Sequence, residues 1–452
     1  MINEIFITAS EIILAVALPY FVYSVVAGMR AHKRLGASRL NHQEHFDPSA
    51  RVYDLSEKPE LNLYYLVPAL NEEAVIGATV RHLLLDPFVK VLVIDDGSND
   101  GTSHEARRAA REVQAGNRLT ILKRVAPDAR KGKGAALNAG YEAILRYVSG
   151  QGIDPDSVIV GVMDADGRLS SAAGRPALAA FAADAEVGSV QYIVRIRNRE
   201  KLIGRFQDVE FWMISAMSQF SRVRSGTVSL GGNGQFTRLS ALMSLSGSPW
   251  TNSLTEDLDI GLRLVCQGWK ATTSVDAYVD QQAVERYRPL IRQRVRWYQG
   301  HMSCMNRMKE VWSSPKVPQS AVIEVTTYLL VPWVIVLPWS IIQQWVFYEL
   351  AFGAGRTVLD LHLGSPIWEA GYLLFWYVFS FLPNILIGIV YWRRTRSISL
   401  PRAIALGHLM LLWNYIGYIS AWAALARMVR GVTSWSKTAR TVETTTGPVV
   451  AA

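Results

Sequence analysis

The sequence predicts a Rossmann-like α/β domain inserted between α-helical segments that cross a membrane. Apolar runs long enough to span a bilayer lie towards both ends of the chain. Between them, short apolar strands alternate with helical segments. Hydrophobic residues make up 50% of the chain and charged residues 19%. The charged share lies below the roughly 25% usual for soluble domains, as expected when a soluble part and a membrane part are averaged.

The first apolar run predicts a membrane helix within residues 1–30, followed by a cytoplasmic linker over 31–60. Ile5–Val26 carries one charged residue, Glu11, and basic residues follow it directly. About 20 apolar residues match the bilayer core, and basic residues behind them favour a cytoplasmic exit. The alternative, a cleaved signal peptide, would have its basic residues before the apolar run.

The central region, residues 61–285, has the pattern of a domain with repeated βαβ units. Such units imply a mostly parallel sheet, which binds ligands beyond the carboxyl ends of its strands. The predicted strands are Leu63–Val67, Val89–Ile94 and Val158–Met163, and the predicted helices are Glu72–Leu85 and Ser103–Ala115.

Two zones follow this domain. Residues 286–315 alternate basic and apolar faces and predict an amphipathic helix on the membrane surface. Residues 316–428 predict three or four membrane helices, and 429–452 a cytoplasmic tail. Basic residues stand on both sides of the last predicted span, so the positive-inside rule cannot be satisfied at both of its ends. The predicted spans are Val322–Phe347, Ile367–Trp392 and Ala403–Ala426.

The charge of the chain restricts its partners. Lys and Arg number 47 and Asp and Glu 38, which gives a net charge of +9. Such a charge suits nucleic acid, anionic lipid or a phosphorylated small molecule. The basic residues lie beside the membrane segments and within two short motifs, which disfavours nucleic acid. Two cysteines are too few for a disulfide framework.

Polar residues follow the first two predicted strands. Pro68 and Glu72 come after the first strand, and Asp95 and Asp96 end the second. Carboxylates at the carboxyl end of a strand can accept hydrogen bonds from a base or a ribose. The Asp95-Asp96-Gly97 sequence equally fits a turn or a helix cap.

Two further motifs point to a diphosphate. Lys133 lies in the loop Arg130–Asn138, whose cationic groups and exposed amides suit phosphate or a uracil carbonyl. Asp164 and Asp166 follow the third strand. Two carboxylates one residue apart can hold Mg²⁺ or Mn²⁺ while leaving positions open for substrate phosphates. A solvated Asp turn is the alternative for this pair.

Glu256 and Asp257 stand in the segment before a predicted helix at Ile260–Gln267. A buried carboxylate at this point is a candidate general base for an acceptor hydroxyl. Helix capping explains the same residues without any chemistry.

The segment Gln293-Arg-Val-Arg-Trp297 completes the set. Its helical spacing puts Gln293, Arg296 and Trp297 on one face. Arginine can bind pyrophosphate through two parallel hydrogen bonds, and an indole ring can stack on a sugar.

In this order, the motifs resemble those of the membrane-embedded family 2 glycosyltransferases, which include cellulose, chitin, hyaluronan and poly-N-acetylglucosamine synthases. The resemblance runs from Tyr64 to Gly300. It implies a GT-A fold, a UDP-sugar donor, a divalent cation and inversion at the anomeric carbon. Gly231–Phe236 lies where the family forms the acceptor end of its pocket, but this chain lacks the Cys-Gly or Ser-Gly pattern of the cellulose and hyaluronan synthases.

The resemblance also implies a role for each matching residue. The nucleoside and substrate ligands would be Pro68, Glu72, Asp95, Asp96 and Lys133; the diphosphate and its Mg²⁺ or Mn²⁺ would be held by Asp164 and Asp166; the catalytic base would be Asp257, with Glu256 beside it; and the diphosphate and acceptor would also meet Gln293, Arg296 and Trp297. The tail at Trp435–Arg440 resembles that of many bacterial members.

The expected function is processive, inverting synthesis of a β-linked polysaccharide that passes through the membrane spans of the enzyme itself. The expected partners are a UDP-sugar, a glycan acceptor, the lipid bilayer and an accessory export protein, with no nucleic acid. The expected location is the inner (plasma) membrane, with several crossings and a cytoplasmic catalytic domain. Two alternatives remain: a nonprocessive transferase that glycosylates a membrane lipid, and a binding protein without activity. The second is disfavoured because every expected acidic position is present.

Overall fold

The computed structural model describes residues 2–34, 60–170, 174–352 and 366–433. The chain forms two compact units. The first comprises residues 1–47, 198–227 and 285–434, and the second 48–197, 228–284 and 435–452. Most of the predicted linker 31–60 and the predicted tail motif at Trp435–Arg440 lie outside the described residues.

The second unit is built on an eight-stranded sheet with the order β3-β2-β1-β4-β7-β6-β8-β5. The first four strands of this order are parallel to one another, while β7 is antiparallel to both β4 and β6. The sheet is therefore mixed, where the sequence predicted a mostly parallel one. The strands are β1 (Asn62–Ala69), β2 (Lys90–Asp95), β3 (Leu119–Lys123), β4 (Val158–Val162), β5 (Arg168–Leu169), β6 (Val187–Ile196), β7 (Gln235–Arg238) and β8 (Lys270–Gln281).

Hydrophobic cores lie on both faces of this sheet, which explains why the central strands β1 and β4 are largely apolar. On β1, Leu63, Tyr65 and Val67 belong to one hydrophobic core, and Tyr64 and Leu66 belong to the other. This alternation follows the two-residue period of a strand. The helices of this unit are α2 (Ile76–Leu83), α3 (Thr102–Glu112), α4 (Lys133–Gly150), α5 (Arg175–Ala183), α8 (Leu239–Met243) and α9 (Glu256–Cys266).

Two helix starts differ from the prediction. Helix α2 begins at Ile76 rather than Glu72, because Glu72 lies in the turn after β1 and its carbonyl accepts hydrogen bonds from the amides of Val75 and Ile76. Helix α9 begins at Glu256 rather than Ile260. The acidic motif thus forms the first turn of α9 instead of a loop before it, and the positive end of the helix dipole favours carboxylates there.

The first unit is mainly helical, with a π-helical segment at Glu210–Ser215 and another at Pro332–Val336. The predicted amphipathic helix is interrupted, since a 3-10 turn at Cys304–Arg307 separates α10 from α11. The helices are α1 (Ile2–Arg34), α6 (Leu202–Val209), α7 (Ala216–Ser221), α10 (Tyr287–Ser303), α11 (Met308–Ser313), α12 (Gln319–Val331), α13 (Leu337–Phe352), α14 (Pro366–Thr395) and α15 (Leu400–Val429).

Two helical stretches among the described residues are long and apolar enough to cross a membrane. They are Gln319–Trp345, with a mean hydropathy of 1.9, and Leu400–Val429, with 1.3. The other two segments for which the sequence predicts spans, Ile5–Val26 and Ile367–Trp392, lie within α1 and α14. Length and apolar character make the first two stretches candidates for a membrane, and the number of crossings stays a prediction.

Candidate active site

The loops after β1 and β2 are joined by hydrogen bonds at the carboxyl edge of the sheet. The amide of Glu72 donates to Thr102 Oγ1 at 2.8 Å, and the amide of Asn71 donates to Ser98 Oγ at 3.0 Å. Pro68 lies opposite Ile94 in the register of these two parallel strands. Hydrogen bonds therefore join the two loops at the edge of the sheet where the sequence predicts the nucleoside site.

Asp95 and Asp96 are adjacent but have different environments. The carboxylate of Asp95 accepts hydrogen bonds from the amide of Ser98 at 2.8 Å and from Ser103 Oγ at 2.5 Å. The carboxylate of Asp96 forms an ion pair with Arg124, and both side chains are buried. Asp95 thus forms the turn that the sequence left open as an alternative. Arg124 is a partner that no motif indicated.

Lys133 connects two of the acidic motifs. It is the first residue of α4, and its Nζ donates to Asp164 Oδ1 at 2.7 Å and lies 3.6 Å from Glu256 Oε1. Burial lowers the pKa of Lys133, but the carboxylates of Asp164, Glu256 and Asp257 outweigh burial and raise it overall. A permanent positive charge therefore lies between the Asp164 motif and the start of α9.

The packing of α4 explains how Lys133 reaches Glu256. The side chain of Asn138 donates to the carbonyl of Trp250 at 2.7 Å and accepts from its amide at 3.0 Å. A Cβ atom on Gly134 would lie 2.4 Å from the carbonyl oxygen of Thr251. Helix α4 can thus approach the segment before α9 only because residue 134 is glycine.

The loop Gly231–Gly234 lies against the same charged groups. Gly232 has φ +72, and a Cβ atom there would lie 3.0 Å from both Asp257 Oδ2 and Lys133 Nζ. Asn233 Oδ1 accepts a hydrogen bond from the amide of Asp164 at 3.2 Å. The structure therefore brings Lys133, Asp164, Asp257 and this loop together within one unit.

Gln191, on β6, holds the loop in this position. Its Nε2 donates to the carbonyl of Asn233 at 2.8 Å, and its Oε1 accepts from the amide of Gly231 at 2.8 Å. The side chain is buried. Sequence reasoning missed Gln191 because a single glutamine inside a strand carries no motif.

The four acidic residues differ in their accessibility. Asp166 is 1% exposed and Glu256 9%, whereas Asp164 and Asp257 are partly exposed. The turn that carries Asp166 is fixed through its backbone, since Arg197 Nη2 donates to the Asp166 carbonyl at 2.9 Å. Of Glu256 and Asp257, Asp257 is thus the one better able to meet a substrate hydroxyl.

The carboxylates suit a metal whose coordination shell is completed by a substrate. Among residues 2–34, 60–170, 174–352 and 366–433, no three His, Cys, Asp or Glu side chains converge as a metal-binding group. Mg²⁺ commonly takes only one or two carboxylates and fills its remaining positions with water and phosphate oxygens. Asp164 and Asp166 fit that pattern.

The remaining predicted site residues belong to the other unit. Gln293, Arg296 and Trp297 lie on α10, with Gln293 buried and the other two partly buried. Their helical spacing agrees with a shared face.

Residues 59–300 match the glycosyltransferase-like family 2, so the chain belongs to this family and is a glycosyltransferase. It is 31% identical over 332 residues to the beta-monoglucosyldiacylglycerol synthase of Synechocystis sp., covering 72% of this chain and 65% of that one. It is 26% identical over 258 residues to the poly-beta-1,6-N-acetyl-D-glucosamine synthase of Staphylococcus aureus, covering 55% and 58%. The chain thus spans about half to two thirds of the length of these curated relatives.

A solved structure supports the GT-A fold. The mannosyltransferase PcManGT from Pyrobaculum calidifontis, in complex with GDP-Man and Mn²⁺, aligns with a TM-score of 0.56 and 18% identity. The alignment covers 93% of this chain and 99% of that one. The mixed sheet described above agrees with this fold, and the Rossmann-like fold class predicted from the sequence is confirmed.

We expect Gly232→Ala to reduce transfer strongly. The new methyl group would meet Asp257 and Lys133, and alanine at φ +72 adds backbone strain of about 1–2 kcal/mol. Initial rates and thermal unfolding midpoints test this. Gly231→Ala is the matched comparison, because its Cβ atom would have no neighbour nearer than 3.8 Å. An equal loss of rate in both variants would contradict the prediction.

We expect Lys133→Met to lower the free energy of unfolding by about 1–2 kcal/mol, since three carboxylates lose their common cation and the site is half-buried. Added Mg²⁺ should raise the unfolding midpoint more in this variant than in the parent protein. Lys131→Met is the control, because Lys131 pairs with Asp128 on the surface. Equal shifts of the unfolding midpoint by Mg²⁺ in the two variants would contradict the view that Lys133 neutralises the three carboxylates.

Proposed function

We propose that the protein transfers a hexosyl group from a UDP-sugar to an acceptor hydroxyl, with inversion and with Asp257 as the base. One observation carries this proposal: the Asp257 carboxylate and Lys133 Nζ both lie beside Gly232, and Lys133 donates a hydrogen bond to Asp164 at the carboxyl edge of the sheet. A base beside a diphosphate site is the arrangement that glycosyl transfer from a nucleotide requires.

The proposed reaction is a single displacement at the anomeric carbon of the donor. Asp257 takes the proton of the acceptor hydroxyl as its oxygen attacks the anomeric carbon. The bond from that carbon to the β-phosphate oxygen breaks, and UDP leaves with the electron pair. Attack from the face opposite to the leaving group inverts the configuration.

Two sets of charges would meet the leaving diphosphate. Asp164 and Asp166 would hold Mg²⁺ or Mn²⁺, which supplies positive charge to the phosphate oxygens as the bond breaks. Lys133 carries a permanent positive charge beside Asp164. We assign Arg296 to the diphosphate as well, because its fork of donors matches phosphate oxygens.

The nucleoside belongs at the edge formed by β1 and β2. Pro68, Glu72 and Asp96 lie at the carboxyl ends of these strands or in the loops after them. Asp95 would act indirectly, by shaping the turn beside Asp96. Trp297 would present a ring face to the acceptor, and Gln293 would support it from the same helix.

For the acceptor, we propose a membrane glycerolipid. The lipid glucosyltransferase of Synechocystis sp. aligns over 332 residues, against 258 for the polysaccharide synthase of Staphylococcus aureus. The Gly231–Phe236 segment also departs from the Cys-Gly or Ser-Gly pattern of the cellulose and hyaluronan synthases. A lipid acceptor agrees with a multi-pass protein of the inner membrane whose catalytic domain is cytoplasmic.

The second candidate acceptor is a growing β-linked polysaccharide, extended processively and passed through the membrane helices. The Gln293–Trp297 segment favours it, because an indole face is well suited to stacking on a sugar ring. This candidate would also involve an accessory export protein as a partner.

Asp257→Asn should lower kcat by about 10²- to 10⁴-fold, because the amide cannot accept the acceptor proton. The dissociation constant for UDP, measured by titration calorimetry, should stay within about twofold, since this variant preserves the shape of the side chain. Glu256→Gln is the control: its side chain is buried, and we expect a smaller effect on kcat. Substantial turnover by Asp257→Asn would reject Asp257 as the base.

The acceptor is tested by following UDP release in lipid nanodiscs. The full chain receives UDP-glucose or UDP-N-acetylglucosamine with Mg²⁺ or Mn²⁺, and either dioleoylglycerol or cellotetraose as acceptor. We expect a glycolipid with one or a few sugars, seen by mass spectrometry. Long polymer that forms without dioleoylglycerol would reject the lipid proposal in favour of the processive one.

A further inference from the structure

Trp297 is packed against Arg294 of its own motif and against Phe211, which no motif includes. The guanidinium carbon of Arg294 lies 4.5 Å from the centre of the Trp297 ring. Phe211 meets the same ring edge-on, with ring centres 6.0 Å apart and planes at 75°. The guanidinium takes one face of the indole, so an acceptor can stack only on the other.

Arg294 is itself fixed by an ion pair. Its Nη2 donates to Glu210 Oε2, and its guanidinium lies 5.3 Å from the ring centre of Phe211. The Arg294 side chain is 12% exposed, while that of Glu210 is 30% exposed. A long and flexible side chain is thus held in one orientation by a carboxylate and two aromatic rings.

The ion pair between Arg294 and Glu210 joins two helical segments that are 84 residues apart in the sequence. Arg294 lies on α10, one turn before Trp297, whereas Glu210 and Phe211 begin the π-helical segment Glu210–Ser215. A π-helical turn is uncommon and occurs frequently at functional sites. Here, it presents two consecutive side chains, one charged and one aromatic, to the same arginine.

We propose that Glu210 and Arg294 are positioning residues for Trp297. Glu210 selects the orientation of Arg294, and Arg294 covers one face of the indole, so that the opposite face is presented to the acceptor. This proposal rests on the acceptor role given to Trp297 above. Neither residue takes part in the proton transfer or contacts the leaving group.

Kinetics of the full chain in nanodiscs provide the first test, with UDP-glucose as donor and dioleoylglycerol or cellotetraose as acceptor. Glu210→Gln and Arg294→Met should raise the KM for the acceptor about five- to tenfold, the size expected when a partly buried cation–π contact is lost. The KM for UDP-glucose should change less than about twofold. Glu310→Gln is the control, since Glu310 forms an ion pair with Arg307 instead, at 2.8 Å.

A charge swap separates positioning from simple stabilisation. The double variant Glu210→Arg with Arg294→Glu can re-form the ion pair, but it removes the cation from the indole face. We expect its unfolding midpoint to be near that of the parent protein and its acceptor KM to stay raised. A parental acceptor KM in the swapped protein would overturn the proposal, because the pair would then serve only to hold the two segments together.

A spectroscopic test is independent of turnover. In protein labelled with 5-fluorotryptophan, the ¹⁹F resonance of Trp297 is identified by its loss in Trp297→Phe. We expect that resonance to shift in Glu210→Gln and to stay unchanged in Glu310→Gln. An unchanged resonance in Glu210→Gln would overturn the positioning role.

The two proposals fail in different ways. If the resonance shifts but Trp297→Ala leaves the acceptor KM unchanged, the placement of the ring by Glu210 is supported and the acceptor role of Trp297 is overturned. If Trp297→Ala raises the acceptor KM, adding Glu210→Gln to it should raise the KM no further. A further rise in that double variant would overturn the positioning proposal.

Discussion

The ammonium group of Lys133 balances the charge of the catalytic domain's acidic motifs. Asp164, Glu256 and Asp257 come from two distant segments, and all three raise the pKa of the same lysine. Three carboxylates converging on a half-buried site would repel one another strongly without that cation. The lysine therefore permits three carboxylates to lie close together, because it keeps the net charge of the site low.

The backbone around Lys133 allows the lysine to lie close to these carboxylates. Gly134 allows α4 to approach the segment before α9, and Gly232 allows the loop before β7 to pass beside Asp257. Gln191 and Asn233 then fix that loop to β6 and to the Asp164 turn. The two glycines permit close contact between backbone segments, and the two amide side chains fix the loop by hydrogen bonds. Together they keep in place charged groups whose mutual repulsion would otherwise open the site.

The sequence predicted the features that depend on local pattern. Buried strands, their polar carboxyl ends and the helical spacing of Gln293 to Trp297 are each visible within ten residues. The antiparallel β7 was missed, because strand direction depends on how the Gly231–Gly234 turn returns the chain to the sheet. The start of α9 was misplaced by four residues, since carboxylates in the first turn of a helix and in a loop before it look alike in a sequence.

The supporting residues were missed for a different reason. Gln191 acts on a loop 40 residues away, and Glu210 acts on an arginine 84 residues away. Such contacts have no short motif, because the partner can be any residue of the right chemistry that the fold brings near. Gly232 offers only backbone beside Asp257, so this loop position provides no side chain to select an acceptor. In the acceptor role proposed for it, Trp297 would supply such a side chain, oriented by Arg294 and Glu210.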